Sequence, residues 1–594
     1  MPTPHKTVDR PKNLKVSAKI FLKSLKPYRL PIIVAIIFAV GSTILSIFGP
    51  RILGQMTTDA MNSFTTSHTI DWTPITSSII TLIILYSLSG LFGYLEGIIL
   101  GRVAAKYSQA TRFKILEKIN RLPISYFDKN QYGDTLSRMS NDVDVIGMSL
   151  QNSLTETISN LVMLVGILIM MFTISPVLSL IALIAVPFSS FFIAKVAKKA
   201  QKYFLRQQNT LGRVNSIIEE DYSGHIVIKS NSHEQLSQKK FDNTNHNLYE
   251  TTWKAQFYSS LAFPITHICT SLSYVAVCIF GGYQAINGQI TIGDFQAFIQ
   301  YNNQFNRPIS QMAQIISTIQ LALAASERIH NFLQVEEEAP DTDLEGQLAD
   351  IDGHVSFDTV NFSYLPEKPV ITNFSCNIKP GQKIALVGPT GAGKTTIVNL
   401  LMRFYDPNSG SITIDGHNTA NIKRNTVRSL FGMVLQDTWL FSGTIEENLR
   451  YGKADASHEE IVKACKETHV DHFIKALPHG YRTRISEDSD NISAGEKQLL
   501  TIARAMIADP PMMILDEATS NVDTRTEQLI QDAFDKLTKN RTSFIIAHRL
   551  STIRNADLIL VMKNGNIVEQ GSHAELLKQG GFYAELYNSQ FEEA

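Results

Sequence analysis

The sequence predicts a multidomain membrane protein with an N-terminal six-helix α-helical transmembrane domain and a C-terminal α/β domain. Two observations predict this fold class. Apolar stretches long enough to cross a bilayer fill much of the first half of the 594 residues. In the second half, short apolar strands alternate with helical stretches, and one strand runs into a glycine-rich segment that a helix follows. The two halves therefore belong to different structural classes.

Composition limits the kinds of protein that this chain can be. At 594 residues it is too long for one hydrophobic core, so two or more domains are expected. A net charge of −1 gives no globally basic surface, and no nucleic-acid partner is expected. The four cysteines have no metal-ligand spacing and predict buried thiols in a reducing compartment. The N-terminus is polar and basic, so no cleaved signal peptide is expected.

Six apolar stretches predict six membrane spans. Each reaches or approaches the ~20 residues that a bilayer requires, although the sixth is rich in amides. Buried helices of a soluble bundle are the alternative, and six such stretches argue against it. The basic, mildly amphipathic residues 12–29 precede them and fit a helix on the cytoplasmic membrane surface. The spans are predicted at residues 31–55, 75–101, 154–174, 176–197, 258–284 and 290–320.

Lysine and arginine placement predicts the orientation of the spans. The loop at 57–73, the turn at 175–176 and the stretch 282–294 contain neither residue, whereas the long connections 102–150 and 198–257 contain many. By the positive-inside rule, these connections, both termini and the C-terminal domain are cytoplasmic. The chain is therefore expected to be a multi-pass protein of the cytoplasmic membrane, with the lipid bilayer as a partner.

The long cytoplasmic connections keep a helical spacing of apolar residues. The spans are therefore predicted to continue as helices into the cytoplasm and to turn back twice. The turns are placed near residues 123–134 and 222–230. At these turns a cytoplasmic domain would contact the membrane domain.

Two spans carry patterns of their own. On the second span, Gly93, Gly97 and Gly101 follow a small-xxx-small spacing that predicts close helix packing. The sixth span carries many amide side chains, among them Gln296 and Gln300. Amides facing lipid would be unsatisfied, so they indicate a wet cavity wall or a subunit interface.

A glycine-rich segment between a strand and a helix predicts a phosphate-binding loop. It follows the apolar run 384–387 and precedes the apolar residues 397–401, the context that this motif requires. Glycines let backbone N–H groups point at phosphate oxygens, and the helix N-terminus favours negative charge. The lysine would reach the β- and γ-phosphates, and the threonine after it would ligate Mg²⁺. The loop comprises Gly388, Pro389, Thr390, Gly391, Ala392, Gly393, Lys394, Thr395 and Thr396.

A second motif supports nucleotide chemistry. Residues 512–515 form an apolar strand that ends in Asp516 and Glu517. A carboxylate at a strand end can hold Mg²⁺ through water, and Glu517 is placed to polarise an attacking water. Together with the loop, this motif predicts a P-loop nucleotide-binding domain.

These motifs, in family order and across essentially the whole chain, resemble those of a half-transporter of the ATP-binding cassette (ABC) exporter family, type IV fold. The resemblance is to the subunit of bacterial heterodimeric multidrug exporters that carries the catalytic glutamate, and it implies ATP and Mg²⁺ as cofactors. It implies that Tyr364 stacks on adenine, Gln436 senses Mg²⁺ and water, and His548 contacts the γ-phosphate. The segment 520–523 matches the loop that crosses the dimer interface.

Composition and resemblance together divide the chain into four parts. Residues 1–30 are a cytoplasmic segment with an interfacial helix, and residues 31–322 are the transmembrane domain with its cytoplasmic helical extensions. Residues 323–352 are an acidic linker, and residues 353–594 are the ABC nucleotide-binding domain.

One motif departs from the family pattern. Exporters usually have Leu-Ser-Gly-Gly-Gln as the signature that contacts ATP bound to the opposite cassette, whereas this chain has Ile492, Ser493, Ala494, Gly495 and Glu496. Ala494 adds a methyl group, and Glu496 adds a negative charge close to a polyanion. A tolerated variation is one interpretation. The favoured one is a degenerate signature in one half of a heterodimer, whose second half-transporter supplies an intact signature.

The resemblance implies ATP-driven export of amphipathic or drug-like small molecules. A dimer is implied because one chain has six spans and one cassette, and the family's working unit has two of each. Lipid or lipopeptide flipping and peptide export by the same fold are the alternatives. A nucleotide-gated channel or a regulatory ATPase is less favoured, because Glu517 is present.

Overall fold

A computed structural model of the protein describes residues 13–341, 344–346, 348, 351–436, 438–485, 492–516, 523–546 and 553–591. These residues divide into two compact units. The first is helical and extends to Glu336. The second begins at Glu337 and contains the sheets. It also includes the segment Pro123–Lys129 from the N-terminal half of the chain.

The first unit consists of long helices joined by short turns. They are α1 (Leu14–Ser24), α2 (Arg29–Ser67), α3 (Trp72–Arg121), α5 (Tyr132–Ser137), α6 (Val143–Met148), α7 (Leu154–Ile174), α8 (Pro176–Ser223), α9 (His225–Ser230), α10 (Glu234–Ser260), α11 (Ala262–Ile286) and α12 (Ile292–Leu333), while α4 (Ile124–Lys129) belongs to the second unit. Polar side chains start several helices; Thr291, for example, forms a capping box with Asp294 before α12. The predicted cytoplasmic extensions are confirmed as helices on α3, α8 and α10.

Four helical stretches among the described residues are long and apolar enough to cross a membrane. They are Lys26–Thr66, Trp72–Arg121, Tyr132–Ile174 and Glu234–Ile286. The first, second, third and fifth predicted spans lie on these stretches. The fourth and sixth predicted spans lie on α8 and α12.

The amphipathic stretch before the first span forms α1, as predicted. Its buried face packs on α12, where the Ser17 hydroxyl donates to the Glu327 carboxylate at 2.6 Å and Phe21 is buried. One face of α1 is therefore covered by the protein's own sixth long helix.

The helices α2 and α12 cross at two glycines. A Cβ atom added to Gly293 would lie 1.8 Å from the carbonyl oxygen of Gly54, and one added to Gly54 would lie 2.4 Å from that of Gly293. The Gly293 amide donates to the Thr58 hydroxyl at 3.2 Å, and the Thr57 hydroxyl donates to the Gln296 side chain at 2.5 Å. The two backbones touch, so only glycine fits on either helix. One sixth-span amide thus has a partner within this chain.

The glycines of the second span behave differently. Around Gly97 and Gly101 an added Cβ atom would have nothing within 4 Å, and at Gly93 it would meet only the Ser42 hydroxyl at 3.8 Å. Among the residues that the structure describes, the predicted close packing of this stripe is therefore not made.

Two π-helical segments, Arg138–Asp142 and Ser149–Ser153, join α5, α6 and α7 into the third long helix. Asp142, in the first of them, is buried and accepts a hydrogen bond from Arg328 of α12, with 2.9 Å between Nε and Oδ2. Breaking this pair would leave a buried carboxylate without its counter-charge, so it ties the third and sixth long helices firmly together.

The second unit is built on two larger sheets and a two-stranded one. Its strands are β1 (Val355–Phe362), β2 (Ile371–Ile378), β3 (Lys383–Val387), β4 (Ser409–Ile414), β5 (His417–Asn418), β6 (Phe431–Val434), β7 (Gly443–Thr444), β8 (Arg484–Ile485), β9 (Met512–Asp516), β10 (Thr542–Ile546), β11 (Leu558–Lys563) and β12 (Asn566–Gly571). The six-stranded sheet has the order β12-β11-β3-β10-β9-β6 and is parallel except for β12, and the antiparallel sheet has the order β2-β1-β4-β5. The strands predicted around residues 384 and 512 are confirmed as β3 and β9.

Helices cover the larger sheet of the second unit. Those among the described residues are α13 (Lys394–Leu401), α14 (Arg424–Ser429), α15 (Ile445–Arg450), α16 (His458–Glu467), α17 (Asp471–Ala476), α18 (Ala494–Ala508), α19 (Thr524–Thr538), α20 (His573–Gln579) and α21 (Phe582–Phe591). A parallel sheet with helices on it is the α/β class that the sequence predicts.

The short helix α4 is bound to the second unit. Its Asp128 carboxylate accepts a hydrogen bond from the Tyr405 hydroxyl. Burial and the adjacent carboxylate both raise the pKa of Tyr405, so its proton stays on the phenol in this bond. The segment predicted as the first turn thus contributes residues 123–129 to the second unit. The second predicted turn contains α9, where Tyr222 and Ile226 are largely exposed.

The acidic segment after α12 is held by two arginines of α14, Arg424 and Arg428, and Arg428 pairs with Glu338 at 3.5 Å. The Arg424 guanidinium donates to the Ala339 carbonyl at 2.9 Å, and its backbone amide donates to the Asp341 carboxylate at 2.8 Å. Helix α12 itself continues to Leu333, within the range that the sequence assigns to the linker.

Candidate nucleotide site

The site lies at the carboxyl ends of the parallel strands. Ile546 at the end of β10 pairs with Leu386 of β3 on one side and with Asp516 of β9 on the other, so the strand ends meet at one edge of the sheet. Gln436 follows β6 at the same edge. The residues there line a cavity of about 400 Å³, namely Val370, Thr390, Gly391, Ala392, Gly393, Lys394, Thr395, Thr396, Gln436, Asp516 and Ile546. A crevice at this edge is where open α/β sheets bind ligands.

Glycine is required at two positions of the loop. Gly393 has a φ of 102°, which side chains rarely adopt, and an added Cβ atom would lie 2.7 Å from Ile371 Cδ1. At Gly388 an added Cβ atom would lie 2.3 Å from the carbonyl oxygen of Met562. The loop therefore lies against β2 and β11 on one side and leaves its other side open to a ligand.

Lys394 is the first residue of α13 and is folded over the loop. Its Nζ donates to the carbonyl oxygens of Gly388 at 2.6 Å and Pro389 at 3.2 Å, and the side chain is buried. Burial lowers the pKa of Lys394, while the charge of Asp516 acts in the opposite direction. An ammonium held in this position can be transferred from carbonyl oxygens to phosphate oxygens without a large movement.

The residues around the cavity fit a magnesium nucleotide. Thr395, Gln436 and Asp516 supply hydroxyl, amide and carboxylate oxygens, which are the hard ligands that Mg²⁺ prefers. The loop amides and the N-terminus of α13 provide the positive field that a triphosphate needs.

Tyr364 contacts the wall of the cavity and does not line it. Its hydroxyl donates to Thr396 Oγ1 at 3.3 Å and accepts from Asn399 at 3.1 Å, both on α13. Its ring packs edge-on against Phe362 at 4.9 Å and against Tyr405 at 5.0 Å between centroids. In this arrangement the ring is anchored to the helix that follows the phosphate loop, and its stacking on adenine stays a prediction.

The signature segment starts α18, away from the loop in the chain. Ser493 is the N-cap residue, and its amide and hydroxyl donate to the Glu496 carboxylate at 2.9 Å and 2.8 Å. The Glu496 amide donates back to the Ser493 hydroxyl at 3.3 Å. The carboxylate that sequence reasoning assigned to repulsion of a polyanion is thus engaged with its own helix start. Ala494 is exposed and Gly495 is buried.

Several predicted site residues lie outside the described residues. These are Glu517, which follows β9, His548, which follows β10, and residues 520–522. Asp523 is described, and it caps α19 through the amides of Arg525 and Thr526. The strand ends that lead to Glu517 and His548 are at the cavity, since Asp516 and Ile546 line it.

Sequence reasoning missed two lining residues, Val370 and Ile546. Both are ordinary apolar residues, at the start of one strand and the end of another. The strand order that brings them to the loop is a tertiary feature, so no local signal marks them.

Comparisons with known proteins match both units. The model of the ABC transporter transmembrane region matches residues 32–309, and the ABC transporter model matches residues 371–520. The fatty acid ABC transporter ATP-binding/permease protein of Mycobacterium bovis is 42% identical, with 96% of each chain covered. The chain belongs to the ABC exporter family, as a half-transporter. It is therefore a multi-pass membrane protein that binds ATP and couples its hydrolysis to transport.

Two further comparisons bear on the architecture of this exporter. The ATP-dependent lipid A-core flippase of Desulfotalea psychrophila is 36% identical, with 86% of this chain and 89% of the relative covered. A bacterial Atm1-family ABC exporter with ATP bound superimposes with a TM-score of 0.72 at 26% identity, covering 96% of this chain and 98% of that chain. Half-transporters of this family work as dimers in a membrane, so the exporter needs a second half.

Proposed function

We propose that this exporter moves amphipathic molecules with a hydrocarbon chain out of the cytoplasm, and that its nucleotide-binding domain is cytoplasmic. The charge asymmetry of the connections supports the orientation. The substrate class is supported by an apolar groove in the membrane unit and by the names of two relatives, a fatty acid transporter and a lipid A-core flippase.

The groove between α2 and α7 carries this proposal. It is open on one side, has a volume of about 410 Å³ and is lined by apolar residues, namely Ile44, Ile47, Phe48, Leu161, Val162, Val165, Gly166, Ile169 and Met170. Each methylene buried there contributes about 0.8 kcal/mol. The lining would therefore retain a chain according to its length and would not select a particular headgroup.

The groove is tested by filling it. A Cβ atom at Gly166 would lie 2.5 Å from Ile47 Cδ1, inside the groove, whereas at Gly97 it would meet nothing within 4 Å. Gly166→Leu and Gly97→Leu are therefore a matched pair. We expect stimulation of ATPase activity by fatty acids to rise with chain length in the unmodified exporter and in Gly97→Leu, and to lose this dependence in Gly166→Leu.

A second variant keeps the test valid if Gly166→Leu does not fold. Val165→Phe enlarges a side chain that is already half exposed, so we expect a folded protein with a shorter preferred chain. If both groove variants keep the chain-length dependence of the unmodified exporter, the groove is not the chain site.

We further propose that the dimer is a heterodimer. Ala494 stands where backbone approaches the partner-bound phosphates, and Glu496 carries a negative charge at the same helix start. A carboxylate a few ångströms from a polyphosphate costs on the order of 1 kcal/mol even when screened. In a homodimer both sites would carry this cost. In a heterodimer the ATP held by Lys394 would meet the partner's intact signature.

Co-purification in mild detergent, followed by ATPase measurement, tests this proposal. We expect low activity from this chain alone and restored activity with a second half-transporter whose own counterpart of Glu517 is altered. The double variant Ala494→Gly/Glu496→Gln is the internal control, because it should raise the activity of the chain expressed alone. High activity of the unmodified homodimer, or no gain in the double variant, would contradict the heterodimer.

A further inference from the structure

The pair of helices α8 and α10 carries a row of exposed cations. The first nineteen residues of α8 contain no charged side chain. The first acidic residue on this helix is Glu219. In the part of the chain that the structure describes, none of the first five cations that follow pairs with a carboxylate. These exposed cations are Lys195, Lys198, Lys199, Lys202 and Arg206.

The depth of these cations follows from helix geometry. At 1.5 Å per residue, Lys195 lies roughly 28 Å and Lys199 roughly 34 Å along α8 from Pro176. The hydrocarbon core of a bilayer is about 30 Å thick. When α8 spans the membrane from Pro176, the two lysines reach the headgroup layer on the far side. By the proposed orientation, this is the cytoplasmic leaflet.

An aromatic stack holds part of this row in place. Tyr203 of α8 and Tyr258 of α10 stack at 5.4 Å between centroids with planes 10° apart. Lys199 Nζ lies 5.7 Å from the centre of the Tyr258 ring, and Arg206 Cζ lies 6.0 Å from that of Tyr203. Contact with a ring face orients a cation without neutralising its charge. Two cations are thus presented beside one aromatic pair.

The neighbouring helix adds no free negative charge to this surface. On α10 the nearest acidic residue in the sequence is Glu250, and it is paired with Lys254 at 2.6 Å. Lys254 in turn lies 5.6 Å from the centre of the Trp253 ring. The surface therefore combines uncompensated cations with the aromatic residues typical of a membrane–water interface.

We propose that Lys195, Lys199 and Arg206, with Tyr203 and Tyr258, form a surface that binds the phosphate headgroups of anionic phospholipids. Lysines attract the charge, and the guanidinium presents paired donors that match phosphate oxygens. The site is separate from the nucleotide cavity and from the apolar groove. It does not depend on which molecule the exporter transports.

Lipid quenching of Trp253 fluorescence tests the site. In an otherwise unmodified exporter with Trp72→Phe and Trp439→Phe, Trp253 is the remaining tryptophan. Reconstituted with a partner whose tryptophans are likewise replaced by phenylalanine, the exporter is mixed with brominated phosphatidylglycerol or brominated phosphatidylcholine in detergent–lipid micelles. We expect the anionic lipid to bind at least about fivefold more tightly than phosphatidylcholine. Each cation near a membrane surface contributes about 1 kcal/mol, which corresponds to about a fivefold change in affinity.

Charge variants on α8 and α10 distinguish binding at these cations from a general effect of positive charge. Lys195→Gln/Lys199→Gln should reduce the preference to near one, and Lys195→Arg/Lys199→Arg should keep it. Lys239→Gln/Lys240→Gln removes the same charge from a part of α10 farther from the membrane, where Lys240 already pairs with Glu220 at 2.8 Å. This control should keep the preference.

Three results would overturn the proposal. The first is equal or absent quenching by the two lipids in the unmodified exporter. The second is an equal loss of preference in the control. The third is that a fatty acid displaces brominated phosphatidylglycerol as effectively as unlabelled phosphatidylglycerol does. That result would mean that the surface binds a carboxylate and does not recognise the phosphate.

Discussion

The phosphate loop and the second membrane span both carry glycines in a recognisable motif, but the surroundings of these glycines differ. Around Gly388 and Gly393, backbone or side-chain atoms fill the space that a side chain would need. Around Gly97 and Gly101 that space is empty within the chain. The close approach in the membrane unit is instead made by Gly54 and Gly293, which follow no motif. Glycine spacing indicates close packing only where the surrounding fold supplies the second surface.

The largest expected effect is at the crossing of α2 and α12, where Gly54 and Gly293 follow no sequence motif. Gly293→Ala places a Cβ atom 1.8 Å from a backbone carbonyl, which cannot move without shifting a helix. We expect a loss of about 3 kcal/mol or more in stability, and little folded exporter. Thermal unfolding followed by size-exclusion chromatography measures it. A Gly293→Ala protein as stable as the unmodified one would remove the contrast with the second span.

The next effect tests the chemistry assigned to the nucleotide site. Glu517→Gln should preserve ATP binding and reduce hydrolysis roughly 10²-fold or more, the magnitude expected for the loss of a general base. Hydrolysis and nucleotide binding are measured on the exporter with its partner. Glu527→Gln on α19 is the control for the same chemical change. Near-normal hydrolysis in Glu517→Gln would remove Glu517 from this role.

A smaller effect is expected at α4, the segment from the N-terminal half of the chain that belongs to the second unit. Phe127→Ala should lower transport severalfold and leave basal ATPase activity within about twofold, because α4 is bound to the second unit through Asp128 and Tyr405. Tyr132→Ala, a highly exposed aromatic on α5, is the matched control. An equal fall in transport and ATPase activity would indicate a loss of stability instead of a loss of coupling.

The smallest effect is predicted for the regular glycine stripe. Gly97→Ala should change the stability of the chain by less than about 0.5 kcal/mol, because nothing lies within 4 Å of the added carbon. Thermal unfolding of the chain and of the assembled dimer are both measured. A loss confined to the dimer would assign the stripe to the partner interface, and a loss in the isolated chain would contradict the packing described above.

The predictions that depended on short-range order were confirmed. The phosphate loop lies between β3 and α13, and the strand before Asp516 forms. Each of these depends on residues close together in the chain, where spacing and side-chain type decide the backbone. The place of Tyr364 was harder to predict, since its ring is set by contacts with Phe362 and Tyr405.

By itself the sequence determined the two structural classes, the order of the motifs and the chemistry of the nucleotide site, because hydrophobic periodicity and glycine-lysine spacing act locally. Only the tertiary structure decided which glycines touch and which strand ends line the cavity. Such contacts depend on which surfaces the fold brings together across long distances in the chain. A pattern in one segment carries no information about the segment that will face it.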